Sequence, residues 1–352
     1  MSVLHLRRDM VVAEEPVVEI DRPLPLRTIE GGASPVLDHE DEEDEHEGKS
    51  FLDHAKFWLA TVAVIGVLAA YPTLTVLSSD VGDNVVASGV DRTQWTAPWA
   101  GGAAALLEKH FDDLGWASDA AAWAPMARLS AKPAYQSAMA GAVGEFATLV
   151  SAEEEQAGRG DPDLSVVARL VHTGSTGVQL RAARDALVNY DRKERRKGVT
   201  PGLNTVALAE QLDLIQSWAS KSQTEITAAA ASAGSSPLDR TSTVAVYAAK
   251  GRAQAAYVFL ETMDWPQQAA AVTARTKALA AWKTAAEFHP LVVLAGSPDG
   301  SLFGNHAVSM GFLISQAQAA TGEYLALART EAAQPAPAPV AIANSAPPSS
   351  VN

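Results

Sequence analysis

Twenty-three consecutive residues without a charge, Phe57 to Ser79 in "KFWLATVAVIGVLAAYPTLTVLSSD", constrain this chain more than any other feature. A helix rises about 1.5 Å per residue, so the run covers roughly 34 Å and matches a hydrocarbon layer about 30 Å thick. Trp58 and Tyr71 stand near its ends, where aromatic rings favour the interface, and Pro72 is placed to bend or end the last turns. The run exceeds a signal-peptide core of roughly 7–15 residues. With 56 residues ahead of it, it reads as an uncleaved anchor, a transmembrane helix over residues 55–79. A buried globular helix is the competing reading. Lys49 and Lys56 precede the run and no basic residue follows until Arg92, which places the N-terminus in the cytoplasm and the larger part outside.

The net charge of −14 divides unevenly across this segment. Residues 1–56 hold 15 acids and 6 bases, and residues 80–352 hold 26 acids and 21 bases. The first 50 residues end in "DHEDEEDEHEGKS", a run of like charge that repels itself and buries nothing, so they read as a disordered acidic cytoplasmic arm. His39 and His46 lie among these acids without the fixed spacing that a metal site needs. The one basic cluster, "RKERRKG" from Arg192 to Gly198, is interrupted by Glu194, and no nucleic-acid surface is expected. The end of the chain, residues 331–352, is a Pro/Ala/Ser tail that also reads as disordered.

Between these flanks, residues 80–330 read as a helical domain. Leu208, Leu212, Ile215, Ala219, Ser222, Ile226, Ala229 and Ala233 recur at alternating steps of four and three. Val244 to Trp265, Ala271 to Phe288 and Met310 to Leu327 carry the same spacing, which keeps one stripe aligned along a helix. Stop signals at "SAGSSPLD", "DWP" and "HPLVVLAGSPDGSLFG" separate the four, and short connections imply antiparallel neighbours. Shorter helices are expected around "PWAGGAAALLEKHFDDLGW", "AKPAYQSAMAGAVGEFATLVSAEEEQ" and "DPDLSVVARLV", with another from about Ser175 to Arg196. The expected fold is all-α: a single N-terminal transmembrane helix followed by an elongated antiparallel helical bundle with alanine-rich, heptad-like seams.

Few residues carry recognisable chemistry. The chain has no cysteine, which excludes disulfides, thiol catalysis and cysteine-ligated metals. No H-E-x-x-H, nucleophile elbow or lysine-bearing phosphate loop occurs, and no cofactor or metal is expected. "EKHFDD" sets His110 among acids, but on a helix Glu108 and Asp112 share a face that His110 does not, so the stretch reads as a solvated helix face. Trp95, Trp99, Trp116 and Trp123 place half of the chain's eight tryptophans within 29 residues. Interface anchors, core packing and stacking platforms for a ligand are the three readings. Asn305 precedes a periodic segment and reads as an N-cap, with His306 the first helical residue. The competing reading makes Phe303, Asn305 and His306 part of a binding or catalytic loop.

The segment "GSPDGSLFGNHAVSMGFLISQAQAA" resembles the C-terminal signature of an uncharacterised proteobacterial inner-membrane family, domain of unknown function 2333. Asn305, His306, Met310, Ile314, Ser315 and Ala319 match its pattern, whereas Ala307, Gln316 and Gln318 replace its Ser, Arg and second Asn. "DDLGWASDAAAWAPM" and "DPDL" are similar to its upstream segments more loosely, so the resemblance spans roughly residues 55–329. It implies a single membrane anchor and a helical domain and carries no activity. The expected role is a scaffold or interaction subunit of an envelope complex, whose partners are the lipid bilayer and an envelope protein or a second copy. A periplasmic ligand-binding sensor using the Trp-rich segment and the 296–306 loop is the alternative. An envelope enzyme centred on His306 is the third.

Overall fold

The four expected seams each become a helix in the computed structural model, which describes residues 51–78, 81, 91, 94–121, 124, 131–198, 204–232, 240–264, 266–290, 293 and 306–334; among these described residues there are nine α-helices. The chain divides into two units, Met1–Trp58 and Leu59–Asn352. In the first, side chains are described from His54 onward.

Helix α1 (Phe51–Ser78) occupies the uncharged run and continues through Pro72, so proline does not end it. Its described side chains run from His54 to Ala70. Among the described residues no helix is long and apolar enough to cross a membrane.

The remaining helices are α2 (Pro98–Glu108), α3 (Ala131–Gln156), α4 (Pro162–Leu170), α5 (Gly177–Lys197), α6 (Thr205–Ser232), α7 (Arg240–Thr262), α8 (Ala269–Glu287) and α9 (His306–Ala332). No strand occurs among the described residues. Local signals explain several boundaries. Asp161 caps α4 by accepting from the Asp163 N–H at 2.8 Å, and Pro162 supplies a first-turn residue with no N–H to satisfy. Thr176 and Gln179 form a reciprocal capping box at the start of α5, whose last turn carries Arg195, Arg196 and Lys197 against the negative end of the helix.

Helices α6 to α9 form the antiparallel set that the seams predict. Along α6 and α9, Asp213 meets Arg329 while Gln223 meets the Gly311 carbonyl, so the numbers rise on one helix as they fall on the other. Likewise Gln268 reaches Glu331 while Trp282 reaches Thr321 between α8 and α9. Between α7 and α8, Arg275 donates to the Leu260 carbonyl and Tyr247 to that of Pro290. The first seam is buried from Leu208 to Ala229 as spaced. The fourth turns in part: Met310, Ala317, Ala320 and Tyr324 are buried and Thr321 joins them, but Ile314 and Ala328 take the inward places of Leu313 and Leu327. Thr321 fits there because its hydroxyl accepts from Trp282 Nε1 and donates to the Ala317 carbonyl, both at 2.8 Å.

Helix α7 is the centre, with 17 of its 23 residues buried against α2, α3, α6, α8 and α9. Six alanines and a glycine among its 23 residues keep it narrow enough for neighbours on every side. Helix α3 runs parallel to α7, with Tyr135 beside Gly251 and Phe146 on Phe259. A Cβ at Gly251 would lie 2.2 Å from the Tyr135 carbonyl oxygen, so glycine is what permits this approach.

The reading of His110 as part of a solvated face is corrected. The helix widens into a π-turn at Lys109–Asp113, and His110 and Phe111 are buried one turn on from Leu106 and Leu107 while Asp112 stays exposed. His110 is 1 % exposed, and its ring lies 5.2 Å from that of Tyr135. Glu108 and Asp112 do share the outer face, where they pair with Arg184 and Arg181.

Candidate ligand-binding cavity

The tryptophan segment enters the helical unit through a buried carboxylate. Asp191 on α5, 3 % exposed, accepts from the Ala97 N–H at 2.8 Å and pairs with Arg195 at 2.8 Å. Arg195 in turn donates to the Gln94 carbonyl. This fixes the backbone just ahead of α2 and so fixes Trp95 and Trp99. Trp95 packs over Gly101, where a Cβ would come within 2.5 Å of the indole.

Trp99 leans on Phe146 at 5.6 Å and Tyr190 at 5.9 Å between ring centroids and remains half-buried. Its neighbourhood opens into a cavity of ≈ 170 Å³ among α2, α3, α5, α6 and the end of α7. Val150, Leu208 and Met263 supply apolar wall, while Glu153, Glu154, Glu194 and Asp264 supply four carboxylates. Arg159 is the cation in that lining, and it makes a two-bond fork with Glu154, from Nε at 2.9 Å and from Nη2 at 3.0 Å.

Glu153 is the group whose environment is most altered. Gln211 Nε2 donates to Oε2 at 3.1 Å, whereas Oε1 is buried without a hydrogen-bond partner. Burial raises its pKa to about 7, the Gln211 bond opposes that rise, and the charges of Glu210 and Glu154 add to it. Burial likewise pushes the Tyr190 hydroxyl well above its ordinary range, assisted by Glu194 and Glu154. At neutral pH the wall thus holds a carboxyl poised between its two states beside a neutral phenol.

The expected site residues separate into three places. Trp99 lines the cavity. Trp116 is core, 4 % exposed, with its Nε1 donating to the Ser175 carbonyl at 2.8 Å. His306 is the first residue of α9, half-buried, with its ring 6.2 Å from Phe288. Trp123, Phe303 and Asn305 lie outside the described residues, and with them the capping role read for Asn305. Trp99 and His306 are not neighbours: the cavity borders Thr262 at the end of α7, whereas the stretch after Phe288 meets α7 at Lys250 and Tyr247. Fifteen helical residues, roughly 22 Å, separate Thr262 from Tyr247.

Glu153, Tyr190 and Glu194 were not singled out by motif, yet the sequence marks them. Met139, Val143, Phe146 and Val150 step by four and three, and Glu153 is the next position of that seam. Leu180, Ala183 and Leu187 lead to Tyr190 and Glu194 in the same way. A charge standing in an apolar register is the signal.

No family model matches the chain, and no curated protein or solved structure matches it. The resemblance to domain of unknown function 2333 therefore rests on the quoted residues alone.

Proposed function

We propose that this chain is a single-pass inner-membrane protein whose helical unit stands in the periplasm as a scaffold or interaction subunit of an envelope complex. One observation carries the anchor. Phe57, Trp58, Leu59, Val62, Val64, Ile65, Val67 and Leu68 are 57–72 % exposed, eight of the fifteen exposed large apolar side chains described. At 100° per residue they point in every direction around α1, so no polar face is left for water. A helix apolar on all sides belongs in a protein core or in lipid, and none of these residues joins the core. The 28-residue backbone of α1 reaches about 42 Å; its described side chains stop at Ala70, and the crossing draws on the apolar residues that the sequence places from Tyr71 to Leu77. Lys49 and Lys56 ahead of the apolar run favour a cytoplasmic N-terminus. The interaction role draws support from long α6–α9 seams, a rigid form suited to presenting a surface.

Membrane extraction with alkaline carbonate and labelling of intact cells with an outer-face amine reagent test this together. The chain is expected to stay with the membrane and to be labelled at Lys221, Lys277 and Lys283, whose side chains are about half exposed. Release by carbonate would overturn the anchor, and labelling only after lysis would invert the topology. For the interaction role, crosslinking is expected to capture a reproducible envelope partner or a second copy. A compact monomer that captures neither would end that reading.

The cavity beside Trp99 favours a second reading, a periplasmic ligand-binding sensor tethered by α1.

A further inference from the structure

We infer that the cavity beside Trp99 takes a small organic ammonium ion, its charged head against Glu153 Oε1 and its apolar body against the Trp99 indole. The inference deepens the sensor reading by naming the ligand class, and it requires neither an anchor nor a relayed signal. Three independent features of the site converge on it.

The first is the orphan oxygen. A buried carboxylate oxygen without a donor has given up its bonds to water and received none in exchange. Gln211 already serves the other oxygen, so what is missing at Oε1 is a donor entering from the cavity. The second is the sign of the surroundings. Arg159 is held by Glu154 and Glu194 is engaged by Lys197, which leaves the Glu153 side of the cavity without a cation of its own among those contacts. An ammonium brings the charge and the donor in one group, whereas an anion would face repulsion and a neutral alcohol would bring the donor alone. The third is the aromatic wall. An indole and a phenol edge a space of ≈ 170 Å³, close to the roughly 150 Å³ that admits a benzene ring in a protein interior. Cations seated within about 6 Å of such rings are attracted by the π-face, and an apolar body gains by leaving water.

The test uses the full chain in lipid nanodiscs, titrated calorimetrically with phenethylammonium against empty nanodiscs. 2-Phenylethanol serves as the uncharged counterpart of the same shape. Phenethylammonium is expected to bind, with at least tenfold weaker binding of the alcohol. Glu153→Gln keeps the Gln211 bond and the volume, and is expected to lose about tenfold or more of ammonium affinity with alcohol binding unchanged. The groups facing Glu153 are Glu154 on α3, Arg159 beyond it, Tyr190 and Glu194 on α5, Glu210 and Gln211 on α6, and Asp264 after α7. With its carboxyl titrating near 7, affinity is expected to rise about tenfold from pH 6 to pH 8 in the wild type and to stay flat in Glu153→Gln. Equal binding of amine and alcohol would retain the cavity and overturn the ligand class. Binding of neither would overturn the cavity as a site, leaving the anchor and the interaction role untouched.

Discussion

Phe146 stacks on Phe259 with ring centroids 4.0 Å apart and planes 5° from parallel. The contact joins α3 to α7 and continues at both ends, to Trp99 at 5.6 Å and to Trp218 at 6.2 Å. Trp218 closes the row by donating from Nε1 to Glu145 at 2.6 Å. Alanine fills so much of this core that a few rings supply an outsized share of its volume. Phe259→Ala is therefore expected to cost about 3–5 kcal/mol, because small neighbours have no side chain with which to refill the space. Denaturant unfolding followed by Trp fluorescence measures it. A loss below about 1 kcal/mol would mean that α3 closes onto α7 and removes the cavity.

Gly251 makes the complementary case, a position where nothing can be added. Its added Cβ would meet backbone atoms, the Tyr135 carbonyl oxygen at 2.2 Å and the Met139 nitrogen at 3.1 Å. Flexible side chains can step aside, but two helix backbones must separate. Alanine would gain up to about 1 kcal/mol in helix propensity and lose more to overpacking. A net destabilisation of about 1–3 kcal/mol is expected for Gly251→Ala by the same unfolding measurement. A stabilised variant would place α3 farther from α7 than the contact requires.

The extent to which the sequence announced this arrangement depended on what each residue had to satisfy. Seam residues such as Leu212, Ile215 and Ala219 answer only to periodicity and are buried where the spacing puts them. Leu327 has the right spacing and stays 38 % exposed, because the stripe on α9 turns toward Thr321, whose hydroxyl finds partners that no apolar pattern records. His110 lies opposite Glu108 and Asp112 by the 100° step and continues the buried row of Leu106, but the acids on either side of it gave the whole stretch a solvated look. The cavity was half legible. Trp99 drew notice as an aromatic, whereas Glu153 reads as one of three consecutive glutamates until the seam from Met139 is counted through to it.

His110 should make stability depend on acid. Burial, with Lys109 and Lys132 contributing, lowers its pKa from 6.5 to about 3. The folded state keeps the ring neutral while the unfolded chain protonates it below about 6.5, so stability is full above that value and falls as pH drops toward 3. The loss attributable to this group is about 2 kcal/mol between pH 7 and pH 5. Its Nδ1 is buried without a partner, so replacement by an apolar ring removes only the long contact of Nε2 with the Tyr135 hydroxyl at 3.4 Å. His110→Phe is expected to flatten that part of the stability–pH curve. An unchanged slope would mean that the ring is protonated within the fold.

Glu153 should act in the opposite sense. Its folded pKa of about 7 lies above the ordinary 4.5, so between these values the folded state holds a proton that the unfolded chain has released. The resulting stability is present below about 4.5 and is lost as pH rises to 7 and beyond. Glu153→Gln removes the ionisation and keeps a side chain that can accept from Gln211. The variant should match wild type near pH 5 and melt at a higher temperature at pH 8, the gap opening across the interval in which Glu153 ionises. Thermal melts of both proteins across that range, without added amine, read the effect directly. Adding phenethylammonium at pH 8 should narrow the gap by stabilising only the wild type, since the amine supplies the donor and charge that Oε1 lacks. Curves that stay parallel from pH 5 to pH 8 would mean that water already solvates Oε1, so that Glu153 stays ionised throughout and an amine would meet no unfilled bond there.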